Sequence, residues 1–365
     1  MTMKKIMILA TVAAALAACN NEEDAFVDNR DPNVIYMTAG VDASAAMTRT
    51  LSNFPNQTVD GAKIAVVARY YDNTDLATNW EDPYIDNEPA SVSDNGNGGY
   101  SFTWTKDQYW PVGGNKLQFI AYSPIVNESN SCIVTNADKK SLTITLPATD
   151  NTQMPDIIVA NRTNESNEED KKIIGYKANT STGDGNVNEG AQNPVTIDMQ
   201  FRHILSQLDV IVKGSKVNAT NEAVVSKVEV IVADNATKKT FDMEADLTPA
   251  TSVGFTNETG TASTYTYTGA WSLNSGAHTV NGSRCIYLFP ETESSVTVRI
   301  YVKDASTLSC ETQLPDVVLG SVTNGGYLKK GKKTTLTVTI EGTDVVLTGA
   351  VSAWENQGEY NATIK

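Results

Sequence analysis

Two histidines, His203 and His278, are the whole imidazole supply of a 365-residue chain, which narrows the chemistry it can do. His203 stands beside Phe201 and Leu205 in an alternating, strand-like run without a G-x-S-x-G elbow. That spacing predicts a hydrogen-bonded structural histidine rather than a catalytic base. Cys132, Cys285 and Cys310 form no C-x-x-C pair and are too widely spaced for a structural zinc site; among them at most one disulfide with an odd thiol is possible, and buried free cysteines on strands are the favoured reading. The acidic runs Glu22-Glu23-Asp24, Glu168-Glu169-Asp170 and Glu291-Thr292-Glu293 fall among turn residues and read as solvated loops, not paired catalytic carboxylates. Asp184-Gly185-Asn186-Val187-Asn188 opens like a calcium loop, but Glu189 stands at the turn glycine and Val195 where the bidentate acid belongs. Gly96-Asn97-Gly98-Gly99 precedes the strand-like Tyr100–Trp104, which predicts a hairpin turn and not a phosphate cradle. Trp80, Trp104, Trp110, Trp271 and Trp354 are expected in core or interface packing rather than as sugar-stacking platforms. No catalytic, cofactor or metal residue is assigned, and the expectation is a protein that is not an enzyme and needs no cofactor.

One cysteine does stand in a chemical context. Lys4 and Lys5 precede the apolar run Ile6–Ala15, which is too short to span a bilayer and passes into small residues. Leu16-Ala17-Ala18-Cys19 then resembles the lipobox of bacterial lipoproteins, in which a peptidase cuts before a cysteine that carries thioether-linked lipid. Residues 1–18 are therefore expected to be a lipoprotein signal peptide and Cys19 the lipidation site. Acyl chains hold a protein on a bilayer through about 0.8 kcal/mol per buried CH₂. The following Asn20-Asn21-Glu22-Glu23-Asp24 resembles the surface-export signal of Bacteroidetes lipoproteins.

The elements that must carry these residues are strands. Leu142, Ile144 and Leu146 alternate with threonines, as do Leu336, Val338 and Ile340. Val228, Val230 and Val232 repeat the pattern, and so do Val296, Val298, Ile300 and Val302. A period of two gives each strand one dry and one wet face, the mark of antiparallel sandwiches. The net charge of −15, without a basic stripe, argues against nucleic acid as a partner. The length favours two domains, with a junction expected near Pro194 after the loop-like stretch 161–194, inside which Ile173–Tyr176 reads as one strand. Near the N-terminus, Val34–Met37 is a candidate strand, followed by Ala43-Ser44-Ala45-Ala46-Met47-Thr48-Arg49, where a lone arginine among small residues is open to a trypsin-like protease.

Several segments, taken in order, resemble the fimbrillin family of Bacteroidales, precursors of type V pili, and in particular its minor-fimbrillin-like branch. They begin with the lipobox and the Thr48-Arg49 pair and continue through Asp60–Val66, Tyr109-Trp110-Pro111 with Leu117–Pro124, and Pro155–Ala160. Phe201-Arg202-His203-Ile204-Leu205-Ser206 within Val195–Val212, then Leu288-Phe289-Pro290 and Lys330-Gly331-Lys332, complete the series.

The resemblance implies two transthyretin-like antiparallel β-sandwich domains in tandem. It divides the chain into a signal peptide (1–18), a lipidated propeptide with a removable strand (19–49), an N-terminal sandwich (50–193) and a C-terminal sandwich with a candidate donor strand (194–365). It implies export to the outer membrane, cleavage between Arg49 and Thr50, and assembly with other fimbrillin subunits by donor-strand exchange into a fimbria that serves adhesion to host or bacterial surface glycans or proteins. The removable strand would include Val34–Met37, and the donor candidates are Asp344–Val351 and Glu359–Ile364. The rival reading is a surface glycan-binding lipoprotein of an outer-membrane carbohydrate-capture system. A hydrolase, which needs clustered carboxylates, ranks last.

Overall fold

A computed structural model of the chain describes residues 31, 33–39, 63–71, 79–94, 100–112, 115–125, 132–147, 154–161, 172–176, 185–186, 196–214, 223–233, 237–247, 254–257, 260–273, 276–280, 286–290, 296–304, 311–319, 328–341 and 344–353; residues 94, 185–186, 223, 257, 304, 341 and 344–353 are described as backbone alone. All the regular elements among them are strands, as the period of two predicts. In chain order these are β1 (Tyr36–Ala39), β2 (Lys63–Tyr71), β3 (Ile85–Asp94), β4 (Tyr100–Trp104), β5 (Lys116–Ser123), β6 (Ile133–Thr135), β7 (Ser141–Thr145), β8 (Ile158–Ala160), β9 (Ile173–Tyr176), β10 (Gly185–Asn186), β11 (Thr196–Asp198) and β12 (Phe201–His203). There follow β13 (Ser206–Gly214), β14 (Ala223–Val232), β15 (Lys238–Asp242), β16 (Phe255–Asn257), β17 (Ser263–Ser272), β18 (His278–Thr279), β19 (Ile286–Leu288), β20 (Val296–Asp304), β21 (Glu311–Gln313), β22 (Val317–Leu319), β23 (Lys332–Glu341) and β24 (Asp344–Ala353).

The largest sheet has ten strands and runs β10-β9-β5-β2-β3-β4-β1-β11, with β8 pairing the far half of β5 and β12 pairing β8. Its two middle strands explain why simple alternation fails there. Ile64, Val66 and Ala68 of β2, with Leu117, Phe119 and Ala121 of β5, face one apolar core. Ala65, Val67, Ile120 and Tyr122 face another. A strand covered on both faces has no wet side, so its sequence is a continuous apolar run.

Two five-stranded sheets, β18-β13-β23-β24 with β19 beside β13, and β17-β14-β20-β21 with β22 beside β20, carry the clean alternation. Leu208, Val210 and Leu336 from the first meet Val228, Val230 and Val298 from the second in one core, which makes the pair a sandwich. A small fourth sheet, β16-β15-β7-β6, joins the molecule's two halves, because β7 pairs β15 over five residues. The same core continues from this sheet to the outer face of β2 and β5.

The turn after β15 fastens this junction. Glu244 takes a hydrogen bond from Gln118 at 3.2 Å and ion-pairs with Arg69 and Lys140, each at 3.5 Å. Asn161 donates to the Met243 and Ala245 carbonyls at 2.6 and 2.8 Å, and the fully buried Lys330 donates to the Asp246 carbonyl. Burying an ammonium is costly unless it is hydrogen-bonded, and this carbonyl meets part of that need.

Candidate functional site

The first of the described strands is an interior strand. β1 pairs antiparallel with β4, Met37 opposite Phe102, and parallel with β11, Met37 opposite Ile197. Its lead-in is equally tied down: Ile35 N–H donates to Gln108 O at 2.8 Å, Trp110 N–H donates to Asn33 O at 2.9 Å, and Val34 bridges Tyr109. The Trp104 indole N–H donates to Ile35 O at 2.6 Å, and Met199 N–H donates to Thr38 O at 2.8 Å. Val34, Ile35, Met37 and Ala39 are all buried, with Tyr36 and Thr38 half-exposed between them. Without this segment, β4 and β11 would be left with unpaired facing edges and a vacant apolar track between them. Unpaired backbone groups away from water cost free energy, so such a track calls for a replacement strand.

A close approach shapes the track. A Cβ on Gly175 of β9 would lie 2.3 Å from Ile197 Cδ1 and 2.8 Å from the Trp110 ring, so only glycine lets β9 come so near β11 and the Tyr109–Pro111 segment.

The other terminal strand is built differently. β24 pairs β23 antiparallel over ten residues, from Lys332 opposite Ala353 to Glu341 opposite Asp344, and it is the last strand of its sheet among the described residues. The donor candidate Asp344–Val351 therefore lies paired on its own sheet.

Other expected residues fall into place around this frame. His203 Nδ1 lies 2.7 Å from the buried Asp156 carboxylate, in keeping with a structural histidine, where β12 runs beside β8. Gly331, at φ +63°, donates its N–H to Leu205 O at 2.9 Å, and a Cβ there would come within 3.2 Å of the His203 carbonyl. Cys132 is in no disulfide and is half-buried before β6, and burial pushes its thiol pKa up. Trp80, Trp104 and Trp110 are buried and Trp271 is half-buried, so the described tryptophans serve packing. Cys19, Arg49, Thr50, Cys285, Cys310, Trp354, the donor candidate Glu359–Ile364 and most of the calcium-like stretch lie outside the described residues. No cluster of metal-ligating side chains occurs among the described residues.

Two features of the site escape a reading of the sequence. One is the parallel partner β11, whose Thr196-Ile197-Asp198 alternates like any half-buried strand and names no neighbour. The other is the Trp104 indole bond to Ile35; only the presence of a tryptophan on a core-facing strand hints at a polar partner.

A fimbrillin-like family profile matches residues 48–354, most of the chain, and the chain belongs to the fimbrillin-like family. A fimbrial protein from Bacteroides vulgatus has a similar structure, with a TM-score of 0.54 at 13% identity over 88% of this chain and 99% of that one. A candidate cell adhesion protein from Bacteroides uniformis gives a TM-score of 0.52 at 15% identity over 88% of this chain and 97% of that one. At such identities the likeness speaks for the shared all-β fold. Comparison with curated protein sequences gives no match.

Proposed function

We propose that the protein is a structural subunit of a surface fimbria serving cell adhesion. It is exported as an outer-membrane lipoprotein through residues 1–18 and Cys19, cut between Arg49 and Thr50, and joined to other fimbrillin subunits by β-strand exchange. Its two sandwiches, of transthyretin-like type, divide near residue 193, and β11 and β12 reach back from beyond that point to complete the large sheet. The observation that carries this reading is β1: the described strand preceding Arg49 is an interior strand, paired on both edges and buried on one face. A cut at Arg49 severs β1 from the rest of the chain, and its departure opens a track that one extended strand from another subunit can fill through main-chain hydrogen bonds and alternate side chains.

The test uses the full chain carrying Cys19→Ser, so that no lipid is attached, treated briefly with an arginine-specific protease. Intact mass and migration on an unboiled gel are followed together. A single cut at Arg49 followed by a ladder of detergent-resistant oligomers supports a polymerising subunit. A cut chain that loses residues 1–49 and stays monomeric points to a tip or accessory subunit, and resistance at Arg49 removes the proposed processing step.

A further inference from the structure

Among the described residues, four large hydrophobic side chains are exposed: Tyr84 (36%), Tyr109 (50%), Val112 (93%) and, elsewhere on β6, Val134 (52%). The first three belong to one place. The Tyr84 hydroxyl donates to the Tyr109 carbonyl at 2.9 Å, Tyr70 braces the Tyr84 ring edge-on at 5.2 Å, and Val112 follows three residues after Tyr109. That place is the mouth of the β1 track, since the backbone of residues 108–110 holds the lead-in at Asn33, Val34 and Ile35. At the opposite end, the residues flanking Ala39 and Thr38, Tyr100 and Met199, are buried.

An exposed apolar patch continuous with a strand-binding track has a defined use. A strand that enters the track remains attached to its own subunit at one end, so that subunit's body must come to rest at one mouth or the other. Resting on the apolar Tyr109 mouth removes apolar surface from water at roughly 25 cal/mol per Å², whereas the Ala39 end offers no comparable described surface. The geometry points to Tyr84, Tyr109 and Val112 as the seat for the body of a second copy of this chain whose C-terminal segment Glu359–Ile364, and not the paired β24, enters the β1 track in the same chain sense as β1. A donor strand at the C-terminus has its body N-terminal to it, and only this sense puts that body over the Tyr109 mouth. This inference rests on the strand-exchange reading above.

The experiment compares the protease-cut full chain (Cys19→Ser) with versions that also carry Val112→Glu, Tyr109→Ser or, as a control outside the patch, Val134→Glu. Thermal melts of the uncut chains establish that each variant folds. Val112→Glu and Tyr109→Ser are expected to slow ladder formation at least tenfold, and Val134→Glu to leave it unchanged. A wild-type ladder matched by both patch variants, or slowed equally by Val134→Glu, overturns the docking seat and leaves strand exchange standing. A cut wild-type chain that never oligomerises overturns the seat for a second copy and with it exchange between identical copies, and leaves the tip or accessory role. A photoreactive benzophenone side chain at position 112 gives the strand sense: cross-links to residues of a second copy well before its C-terminal strand support it, and cross-links to residues 360–365 alone reverse it. If Tyr109→Ser abolishes binding on a glycan array while the ladder forms normally, the patch is a sugar site and the docking inference fails.

Discussion

β1 and β24 close the described chain at either end, and they are opposite solutions to holding a terminal strand. β1 has four residues, hydrogen bonds on both edges, and buried side chains at every second position through its lead-in. β24 has ten residues and a single described neighbour along its whole length. Loss of an interior strand leaves two unpaired edges and a slot. Loss of an edge strand only moves the edge inward by one strand. Under the proposed processing, the short, doubly paired strand lies next to the proposed cut and the long, singly paired one far from it in the chain.

The largest effect that can break this comparison is removal of residues 1–49 from a cut chain without a donor. Full burial of Val34, Ile35 and Met37 contributes about 1.5–3 kcal/mol each. At about 2–4 °C per kcal/mol, the monomeric product should melt at least about 10 °C below the uncut chain by calorimetry. An unchanged or higher Tm would show that β1 is not the removed strand. Next comes Met37→Ala, which leaves a cavity in the core that β1 packs against and should cost about 2–5 kcal/mol in urea titration of the uncut chain. Proline scanning then sharpens the contrast. Any proline in β1 removes a donor from a strand paired on both sides and should cost about 1–3 kcal/mol, whereas on β24 only alternate positions, those with N–H facing β23, should suffer. Equal sensitivity at every position of β24 would mean that a second strand covers it.

The smallest effect lies in the body of the sheet and should not touch β1. Burial pushes the Tyr122 phenol up to about 12, against the bond with Thr135, which favours ionisation. The folded state therefore keeps this proton where the unfolded chain, with its pKa near 10, has lost it, so the stabilisation is complete below pH 10 and fades as pH rises towards 12. At pH 11 the loss is on the order of 1 kcal/mol. Tyr122→Phe should flatten that alkaline slope in pH-dependent unfolding. A slope that survives the substitution assigns it to another group.

How far the sequence foretells this molecule depends on whether a strand's neighbours are local. The alternating runs around Leu142, Val228, Val296 and Leu336 lie in β7, β14, β20 and β23, and Ile173–Tyr176 is β9 as expected. In the first four, alternation between a dry and a wet face marks the strand, whereas β9 is a short apolar run buried at three of its four positions. Val34–Met37 marks the segment but reads slightly early, because Val34 and Ile35 are bound to residues 108–110 as a lead-in rather than within a ladder. The pairings β1 with β11, β7 with β15 and β8 with β12 join residues far apart in the chain, and a period of two says which way a side chain faces but not which strand lies alongside. The doorway residues Tyr109 and Val112 are equally silent in sequence, since a single exposed tyrosine or valine is ordinary until its neighbours are known.

The long β23–β24 pairing also has a mechanical meaning. Its hydrogen bonds lie across the strands, so a pull along the strand axis, with one strand drawn against the other, loads many of the ten residue pairs at once instead of peeling them singly. Resistance to such a pull is set by the unfolding rate and not by equilibrium stability. In a fibre under tension, a hairpin anchored this way would act as a stiff link, and any yielding would begin where the chain is held by fewer rungs.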